Sequence, residues 1–160
     1  VVALFLILWY RLPGFVAVLA LCIYVTTVLT LFKLIPVTLT AAGIAGFIIS
    51  IGIAVDANIL IFERLKEEMH SGRSVSDAVS AGFHRAWSSI RDSNFSTIIS
   101  AMILFWFGTP LIKGFALTLG LGVLVSMFSA IMISRIFLSG FVFIGEGKVS
   151  RFLFSSGVSK

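Results

Sequence analysis

Apolar residues dominate this chain in long runs that are separated by short polar segments. A helix that crosses the hydrocarbon core of a bilayer needs about 20 consecutive, mostly apolar residues. Four runs come close to that length or exceed it, and a fifth, at the start of the sequence, is shorter. The runs predict an all-α, polytopic transmembrane helix bundle over residues 1–144, with a tail at 145–160. The predicted helices cover about 1–10, 15–33, 40–65, 95–112 and 115–144.

Breaker residues set the limits of these helices. Pro13-Gly14 separates the first two runs, and Pro36 marks the turn after the second. Gly108-Thr109-Pro110 ends the fourth run. Thr38 and Thr40 are the candidate N-caps of the third helix, because a threonine hydroxyl accepts a hydrogen bond from the first turn.

A polar segment at 63–94 separates the third run from the fourth. Its first residues continue the third helix into water, and Ser71-Gly72 is a typical stop signal. Residues 74–77 form a capping box, after which apolar residues recur at helical spacing. The segment therefore predicts an amphipathic helix at the membrane surface. Its apolar face comprises Val75, Val79, Phe83, Trp87 and Ile90.

Composition narrows the class of protein. Of 160 residues, 59% are hydrophobic and 12% are charged, whereas a typical soluble domain is about 45–50% apolar and about 25% charged. These values exclude a soluble enzyme, a disordered chain and a disulfide scaffold. The one cysteine, Cys22, has no partner for an intrachain disulfide. Because the sequence opens within an apolar run and shows no charged leader, we expect a fragment rather than a signal peptide.

The basic residues indicate how the helices are oriented. The net charge is +5, and cytoplasmic loops of membrane proteins carry an excess of Lys and Arg. If successive loops alternate between two sides, one side holds Lys33 and Lys113 alone. We therefore predict that the long polar segment and the tail are cytoplasmic and that the chain binds no nucleic acid. The cytoplasmic side would hold Arg11, Arg64, Lys66, Arg73, Arg85, Arg91, Lys148, Arg151 and Lys160.

Small residues recur at four-residue spacing on two of the predicted helices. Membrane helices associate through close approach of such residues, because lipid tails are as apolar as leucine. We therefore expect the third and fifth helices to be central. The stripes serve either fixed helix packing or an interface along which the helices slide past each other. Ser96 and Ser100 form a shorter stripe on the fourth helix. The long stripes are Ala42, Gly46, Ser50, Ala54 and Asn58 on one helix, and Gly114, Thr118, Gly122, Ser126, Ala130 and Ser134 on the other.

Asp56 is the one acidic residue well inside a predicted span. A charge at the centre of a membrane helix costs roughly 2.5–3.5 kcal/mol on insertion scales, so it persists only beside protein or water, or in its neutral form. Low dielectric favours the neutral carboxyl group, which makes Asp56 a candidate for loading and releasing a proton. It shares a helix face with Gly52, and Asn58 lies on a small-residue stripe, so we expect these positions to point into the bundle. The alternative is that Asp56 lies near the cytoplasmic end and is only hydrated.

Asp92 and Asn94 stand at the predicted cytoplasmic mouth of the fourth helix. The simpler interpretation is capping, which we favour for Asn94, since side-chain oxygens satisfy the first N–H groups of a helix. Alternatively, Asp92 forms the end of a water path. A proton relay of this kind would use Asp56, Asn58, Asp92, Asn94 and Thr97, with hydroxyl groups at Ser96, Ser100, Thr118 and Ser126.

No other motif points to a chemical site. His70 and His84 lack metal-ligand spacing. The sequence has no phosphate-binding loop, no nucleophile motif and no cluster of cysteine and histidine. We therefore expect no enzymatic activity, no metal and no cofactor.

From Gly43 to Arg64 the sequence resembles the fourth transmembrane helix of the SecD members of the SecD/SecF protein-export family, which belongs to the RND superfamily. The form Val55-Asp-Ala-Asn58 favours SecD over its partner SecF. Residues 10–14 look like the short cytoplasmic turn after the second helix. Colinear matches continue at Glu67-Glu68, Gly72-Arg73, Ala78, Gly82-Phe83, Ala86, Ile90, 92–94, Thr97, 112–116, 118–122 and 126–130.

The resemblance implies that the five runs are helices two to six of a six-helix half that pairs with a SecF half. A first helix and a large periplasmic domain would precede them. It also implies a multi-pass protein of the cell inner membrane in which the acidic residue at the Asp56 position works in a proton path. Proton-motive force would then drive movement that pulls exported polypeptide outward. The implied partners are SecF, the SecYEG channel, SecA indirectly, unfolded polypeptide, protons and the lipid bilayer.

Two other functions stay open on the sequence. The chain could be a structural module that docks SecF and the channel, with Asp56 in packing or in an interhelical hydrogen bond. It could also be a fragment of an RND exporter of small molecules or lipids.

Overall fold

Four helices make up the computed structural model, which describes the backbone of residues 2–73 and 75–144 and the side chains of 14–73 and 77–132. The helices are α1 (Val2–Leu34), α2 (Ala41–His70), α3 (Val75–Phe107) and α4 (Pro110–Ile144), and the described residues contain no strand. The prediction of an all-α bundle is confirmed. The predicted tail at 145–160 and the capping side chain at Ser74 lie outside the described residues.

Within the described residues, three helices are long and apolar enough to cross a membrane. The spans are Gly14–Leu34 in α1, Ala41–His70, which is all of α2, and Pro110–Met132 in α4. The predicted membrane helix at 95–112 falls in the second half of α3, which is not one of the three. Charged and hydroxyl residues in its middle lower the mean hydropathy of α3.

α1 runs without interruption through Pro13 and Gly14, so the predicted break between the first two helices is wrong. Proline removes one backbone donor and crowds the preceding turn of a helix. It does not by itself end a helix, and the backbone of α1 is helical on both sides of Pro13.

α3 is also continuous and joins the predicted surface helix to the predicted fourth membrane helix. It contains no proline, and Gly82 is its one glycine. The hydroxyl groups of Ser93 and Thr97 donate to carbonyl oxygens of the preceding turn at 3.1 Å each, so they are satisfied within the helix. Asp92 and Asn94 lie in the interior of α3, and the prediction that they cap a helix is wrong.

The ends of α2 agree with the sequence prediction. Thr40 is the N-cap, and its hydroxyl oxygen accepts a hydrogen bond from the Gly43 N–H at 3.1 Å. Ser71 is the C-cap, and Gly72 has a φ of +84°, a left-handed conformation that favours glycine. The polar extension of α2 beyond Phe62 is therefore helical to its end.

The first half of α3 packs against α2 with part of the apolar face that the sequence predicted. Val79 and Ile90, from the predicted apolar face, are 5% and 3% exposed. A Cβ atom at Gly82 would lie 2.7 Å from the backbone nitrogen of Leu65, so the two helices touch backbone to backbone. The apolar face exists, but its contact is protein because Gly82 lets α2 approach.

A two-residue connection, Gly108-Thr109, leads from α3 into α4. α4 begins at Pro110 and not at the predicted residue 115, because proline suits the first position of a helix, where its missing N–H needs no partner. α2 and α4 form the most extensive helix pair, α3 packs against both, and α1 lies on the outside against α4 and α2. This order puts α2 and α4 at the centre, in agreement with the small-residue stripes.

Candidate functional site

Small residues of α2 and α4 bring the two central helices into direct contact. Thr118 on α4 donates a hydrogen bond from Oγ1 to the carbonyl oxygen of Gly43 on α2 at 2.8 Å. A Cβ atom at Gly46 would lie 2.6 Å from the carbonyl oxygen of Phe115. Glycine at position 46 is therefore a condition for the observed approach of the backbones.

A second contact joins three helices around Ser50. Tyr24 on α1 donates a hydrogen bond to Ser50 Oγ at 2.8 Å, and Ser50 Oγ donates to the carbonyl oxygen of Phe47 at 2.7 Å. A Cβ atom at Gly122 of α4 would collide with the Ser50 side chain and lie 2.9 Å from the Tyr24 hydroxyl oxygen. Sequence analysis missed Tyr24, although a tyrosine hydroxyl group inside an apolar run needs a buried partner.

The predicted stripes occupy these contacts, with one shift on α2. Gly43 is buried where the prediction named Ala42, which is half-buried. Gly114 is half-buried, and the side chain of Ser134 lies outside the described residues. The stripe residues that are buried are Gly46, Ser50, Ala54, Asn58, Thr118, Gly122, Ser126 and Ala130.

A cavity of about 250 Å³ lies between α2 and α3 and brings three of the predicted relay residues together. Asp56 lines it from α2, and Asn94 and Thr97 line it from α3. The Ser93 side chain adds a fourth polar group. The remaining lining residues are Ile53, Ala57, Leu60 and Ile90. This cavity, which we call the α2–α3 cavity, is the candidate functional site.

Asp56 and Asn94 differ sharply in exposure although they line the same cavity. Asp56 is exposed, as is Gly52 one turn before it, and a Cβ atom at Gly52 would meet no atom within 4 Å. The prediction that these positions point into the bundle is therefore wrong for Asp56 and Gly52 and correct for Asn58, which is buried. Asn94 is 3% exposed, and its Nδ2 has no hydrogen-bond partner among the described residues. The α2–α3 cavity thus has an acidic group at its open side and an unpaired amide at its closed side.

The other two predicted relay residues lie outside the α2–α3 cavity. Asn58 is buried, at 5% exposure, but is not among the residues that line the cavity. The Asp92 side chain is 69% exposed, and its Oδ1 lies 3.0 Å from Nε of Arg91. The structure therefore separates Asp92 from the carboxyl group of Asp56.

The predicted row of hydroxyl groups does not form a path between α3 and α4. Ser96 and Ser100 are exposed, and each donates to a carbonyl oxygen of its own helix. Ser126 donates to the carbonyl oxygen of Val123, and Thr118 donates across to α2. Of the predicted hydroxyl groups, Thr97 alone lines the α2–α3 cavity.

A buried ion cluster fastens the turn between α2 and α3, and sequence analysis missed it. Glu68 is 5% exposed, with Oε1 2.6 Å from Nη1 of Arg85 and Oε2 3.2 Å from Nε of Arg73. The hydrogen bond to Glu68 raises the pKa of the Arg85 guanidinium, which therefore stays charged at physiological pH. The sequence had suggested only a solvated helix end for this region.

The described residues contain no group of three or more His, Cys, Asp and Glu side chains that could hold a metal ion. The profile of the family "Protein export membrane protein SecD/SecF, C-terminal" matches residues 1–142. The chain belongs to this SecD/SecF family. The resemblance inferred from the sequence is therefore confirmed.

Named relatives point to the SecD branch of the family. The chain is 63% identical to the protein translocase subunit SecD of Thermobaculum terrenum over 138 residues, which cover 84% of this chain and 27% of the relative. It is 57% identical to the subunit of the same name from Dehalococcoides mccartyi over 152 residues, which cover 92% of this chain and 34% of the relative. The chain spans about a quarter to a third of the length of these relatives.

Two solved structures share the helix arrangement at 35% identity. A structure of SecDF in a super-membrane-facing form superposes with a TM-score of 0.86 and covers 92% of this chain and 20% of that chain. A structure of SecDF from Thermus thermophilus, described as a translocon-associated membrane protein, superposes with a TM-score of 0.84. The match covers 91% of this chain and 20% of that chain. The chain is therefore a membrane protein, with three apolar spans among its described residues, and its helices are arranged like those of part of SecDF.

Proposed function

We propose that the chain is the membrane part of a protein-export subunit that couples the proton-motive force to a late stage of polypeptide translocation. The observation that carries the proposal is the Asp56 carboxyl group at a cavity that lies between two helices of a membrane bundle and is lined by three further polar side chains. The protein would act with SecF, the SecYEG channel and, indirectly, SecA on unfolded exported polypeptide. It would act as a coupling device, without enzymatic catalysis. The name shared by the relatives, protein translocase subunit, supports the export part of the proposal.

The surroundings of Asp56 support a change of protonation as the coupling event. A carboxylate within a membrane span raises the free energy of the inserted helix, so such a residue usually has a function. Asn94 and Thr97 offer hydrogen-bonding groups for water on one side of Asp56, and the exposed side is open to a partner or to water. Uptake of a proton removes the charge, and it thereby changes which helix arrangement is the more stable.

We further propose a location in the cell inner membrane, with the α2–α3 turn in the cytoplasm. Three arginines lie on the two helices that meet at this turn and a fourth lies in the turn itself, whereas Lys33 and Lys113 flank the connections at the opposite ends of the helices. An excess of Lys and Arg marks the cytoplasmic side. The four arginines are Arg64, Arg73, Arg85 and Arg91.

The replacement Asp56→Asn in the full-length protein tests the proposal. Asparagine keeps the size and polarity of the side chain but cannot take up a proton, so membrane insertion and assembly should be normal. We expect inverted membrane vesicles to lose the part of polypeptide translocation that depends on the proton-motive force and to keep the ATP-driven part. The matched control is Glu63→Gln, an exposed acidic residue two turns further along α2. Full proton-dependent translocation by the Asp56→Asn protein would refute the proposal.

A structural docking module is the second candidate, and the exposure of Asp56 beside Gly52 favours it. A partner helix could approach this glycine closely and hydrogen-bond the carboxyl group. Asp56→Asn would then keep proton-dependent translocation, and Gly52→Leu, which has room in this chain, would lower recovery of the complex with SecF. A small-molecule or lipid exporter of the RND superfamily has less support, because the relatives described above are translocase subunits.

A further inference from the structure

The α2–α3 cavity contains one polar group that the described residues leave unpaired. Asn94 is 3% exposed, and its Nδ2 has no hydrogen-bond partner in the described part of the chain. Buried polar groups are as a rule hydrogen-bonded, because an unpaired donor loses the bonds that it makes to water in the unfolded chain. Asn94 is one of the residues that line the α2–α3 cavity, so this cavity is the nearest described space from which an acceptor for its amide group can come.

The lining itself narrows the choice of acceptor. Asp56 is the one charged residue in the lining of the α2–α3 cavity. The hydroxyl groups of Ser93 and Thr97 are occupied as donors toward their own helix at 3.1 Å, but their oxygens can still accept. The other lining residues have apolar side chains. Arg91 and Asp92 nearby are 57% and 69% exposed and are paired with each other, so they do not supply the acceptor.

We infer that Asn94 is a positioning residue: its Nδ2 donates to a water molecule that hydrogen-bonds the Asp56 carboxyl group. The cavity volume of about 250 Å³ is roughly eight times the ~30 Å³ that a water molecule occupies in the liquid, so such a water fits. A buried water needs two to four polar partners, and Asn94, Asp56 and the hydroxyl oxygen of Thr97 provide three. The role of the water in proton transfer rests on the proposed function. The water site itself does not depend on it.

The difference in exposure gives the water a defined role. Asn94 lies on the closed side of the cavity and is held by a continuous helix, whereas Asp56 lies on the open side. A water held by Asn94 would therefore stay beside the carboxyl group whichever partner covers the exposed side of Asp56. It would accept or deliver the proton at one fixed position.

Infrared difference spectra of the full-length protein in membranes, recorded on a change of pH, test the inference. Bound water is recognised by an O–H stretching band that shifts when H₂¹⁸O replaces ordinary water. We expect this band in the wild-type protein and its loss in Asn94→Leu, which keeps the branched shape of the side chain, is somewhat larger and has no donor. The carboxyl band of Asp56, assigned by its absence in Asp56→Asn, should also shift in Asn94→Leu. Ser100→Ala, an exposed hydroxyl group of the same helix outside the cavity, is the matched control and should change neither band.

A second replacement keeps the test decisive if Asn94→Leu is poorly recovered from membranes. Asn94→Ala also removes the donor, and it leaves more room in the cavity. An unchanged water band and an unchanged Asp56 band in either variant, recovered at wild-type levels, would overturn the inference. The proposed function fails separately, through undiminished proton-dependent translocation by Asp56→Asn, so the two failures are distinguishable.

Discussion

The hydroxyl group of Tyr24 donates a 2.8 Å hydrogen bond to Ser50 Oγ, and Gly122 closes against both residues. The bond links α1, the outer helix, to the central pair of α2 and α4. Both side chains are almost fully buried, so no water competes for the bond. The contact therefore fixes the position of α1 along α2.

Replacement of Tyr24 by Phe should lower the free energy of unfolding by about 0.6–1.7 kcal/mol, the range measured for interhelical hydrogen bonds in membranes. The ring stays and only the bond to Ser50 is lost. Reversible unfolding of the full-length protein in mixed micelles would measure the change. Thr27→Val is the matched control, since the Thr27 hydroxyl group bonds the Ile23 carbonyl oxygen of its own helix. Equal effects of the two replacements would contradict a specific role for the contact between Tyr24 and Ser50.

Gly46→Ala should destabilise the pair of α2 and α4 by about 1–3 kcal/mol, the usual effect of overpacking. The new methyl group would press on the backbone of Phe115, which cannot move aside as a side chain could. Gly52→Ala on the same helix should be neutral or stabilising by up to about 1 kcal/mol, because its Cβ has open space and alanine favours a helix. Unfolding free energies of the two proteins would show the contrast. A Gly46→Ala protein as stable as Gly52→Ala would rule out the tight interface.

Glu68→Gln should loosen the turn between α2 and α3. The replacement removes the charge that holds Arg73 and Arg85, and it leaves two arginines facing a neutral amide. We expect faster amide hydrogen exchange in the first turns of α3, measured by mass spectrometry on the full-length protein. Glu67→Gln is the matched control, since Glu67 is exposed and its ion pair is with Arg64 of its own helix. The effect of Glu68→Gln should diminish at high salt, because both arginines reach water. Identical exchange in the two variants would contradict the prediction.

Thr97→Val should reduce the part of translocation that depends on the proton-motive force, but less than Asp56→Asn does. Valine keeps the shape of threonine and removes the one hydroxyl group of the predicted row that lines the α2–α3 cavity. Inverted membrane vesicles with the full-length protein would provide the measurement. Ser100→Ala, on the same helix and outside the cavity, should leave the rate unchanged. A loss in Ser100→Ala equal to that in Thr97→Val would show that the cavity is not the relevant site.

Features that depend on neighbouring residues could be predicted from the sequence. Thr40 and Ser71-Gly72 set the ends of α2 through bonds to residues three or four positions away. The stripes with Gly46 and Gly122 repeat once per helical turn, so their periodicity reveals the face that packs. The candidate site was partly predictable for the same reason, since a carboxylate within an apolar run stands out without any knowledge of the fold.

Features that depend on distant residues could not be predicted. The bond from Tyr24 to Ser50 spans 26 positions, and that from Arg85 to Glu68 spans 17, so no local pattern marks them. Asn94 looked like a cap because polar residues cluster around it, but the backbone continues through that cluster. Whether Asp56 points inward or outward depends on the rotation of α2 about its own axis relative to α3 and α4. The spacing of small residues predicted the buried face of α2 only to within one residue, since Gly43 is buried in place of Ala42.

Because α3 has no break between its two halves, a tilt at Asn94 would be transmitted along the whole helix, together with the segment of α2 that packs against it. About 28 Å of helix, at 1.5 Å per residue, separates Asn94 beside the cavity from Val75 at the first turn. A tilt of about 10° at Asn94 would move that turn by about 5 Å. Events of molecular size around one carboxyl group would in this way become displacements of the first turn of α3 large enough for another protein to sense.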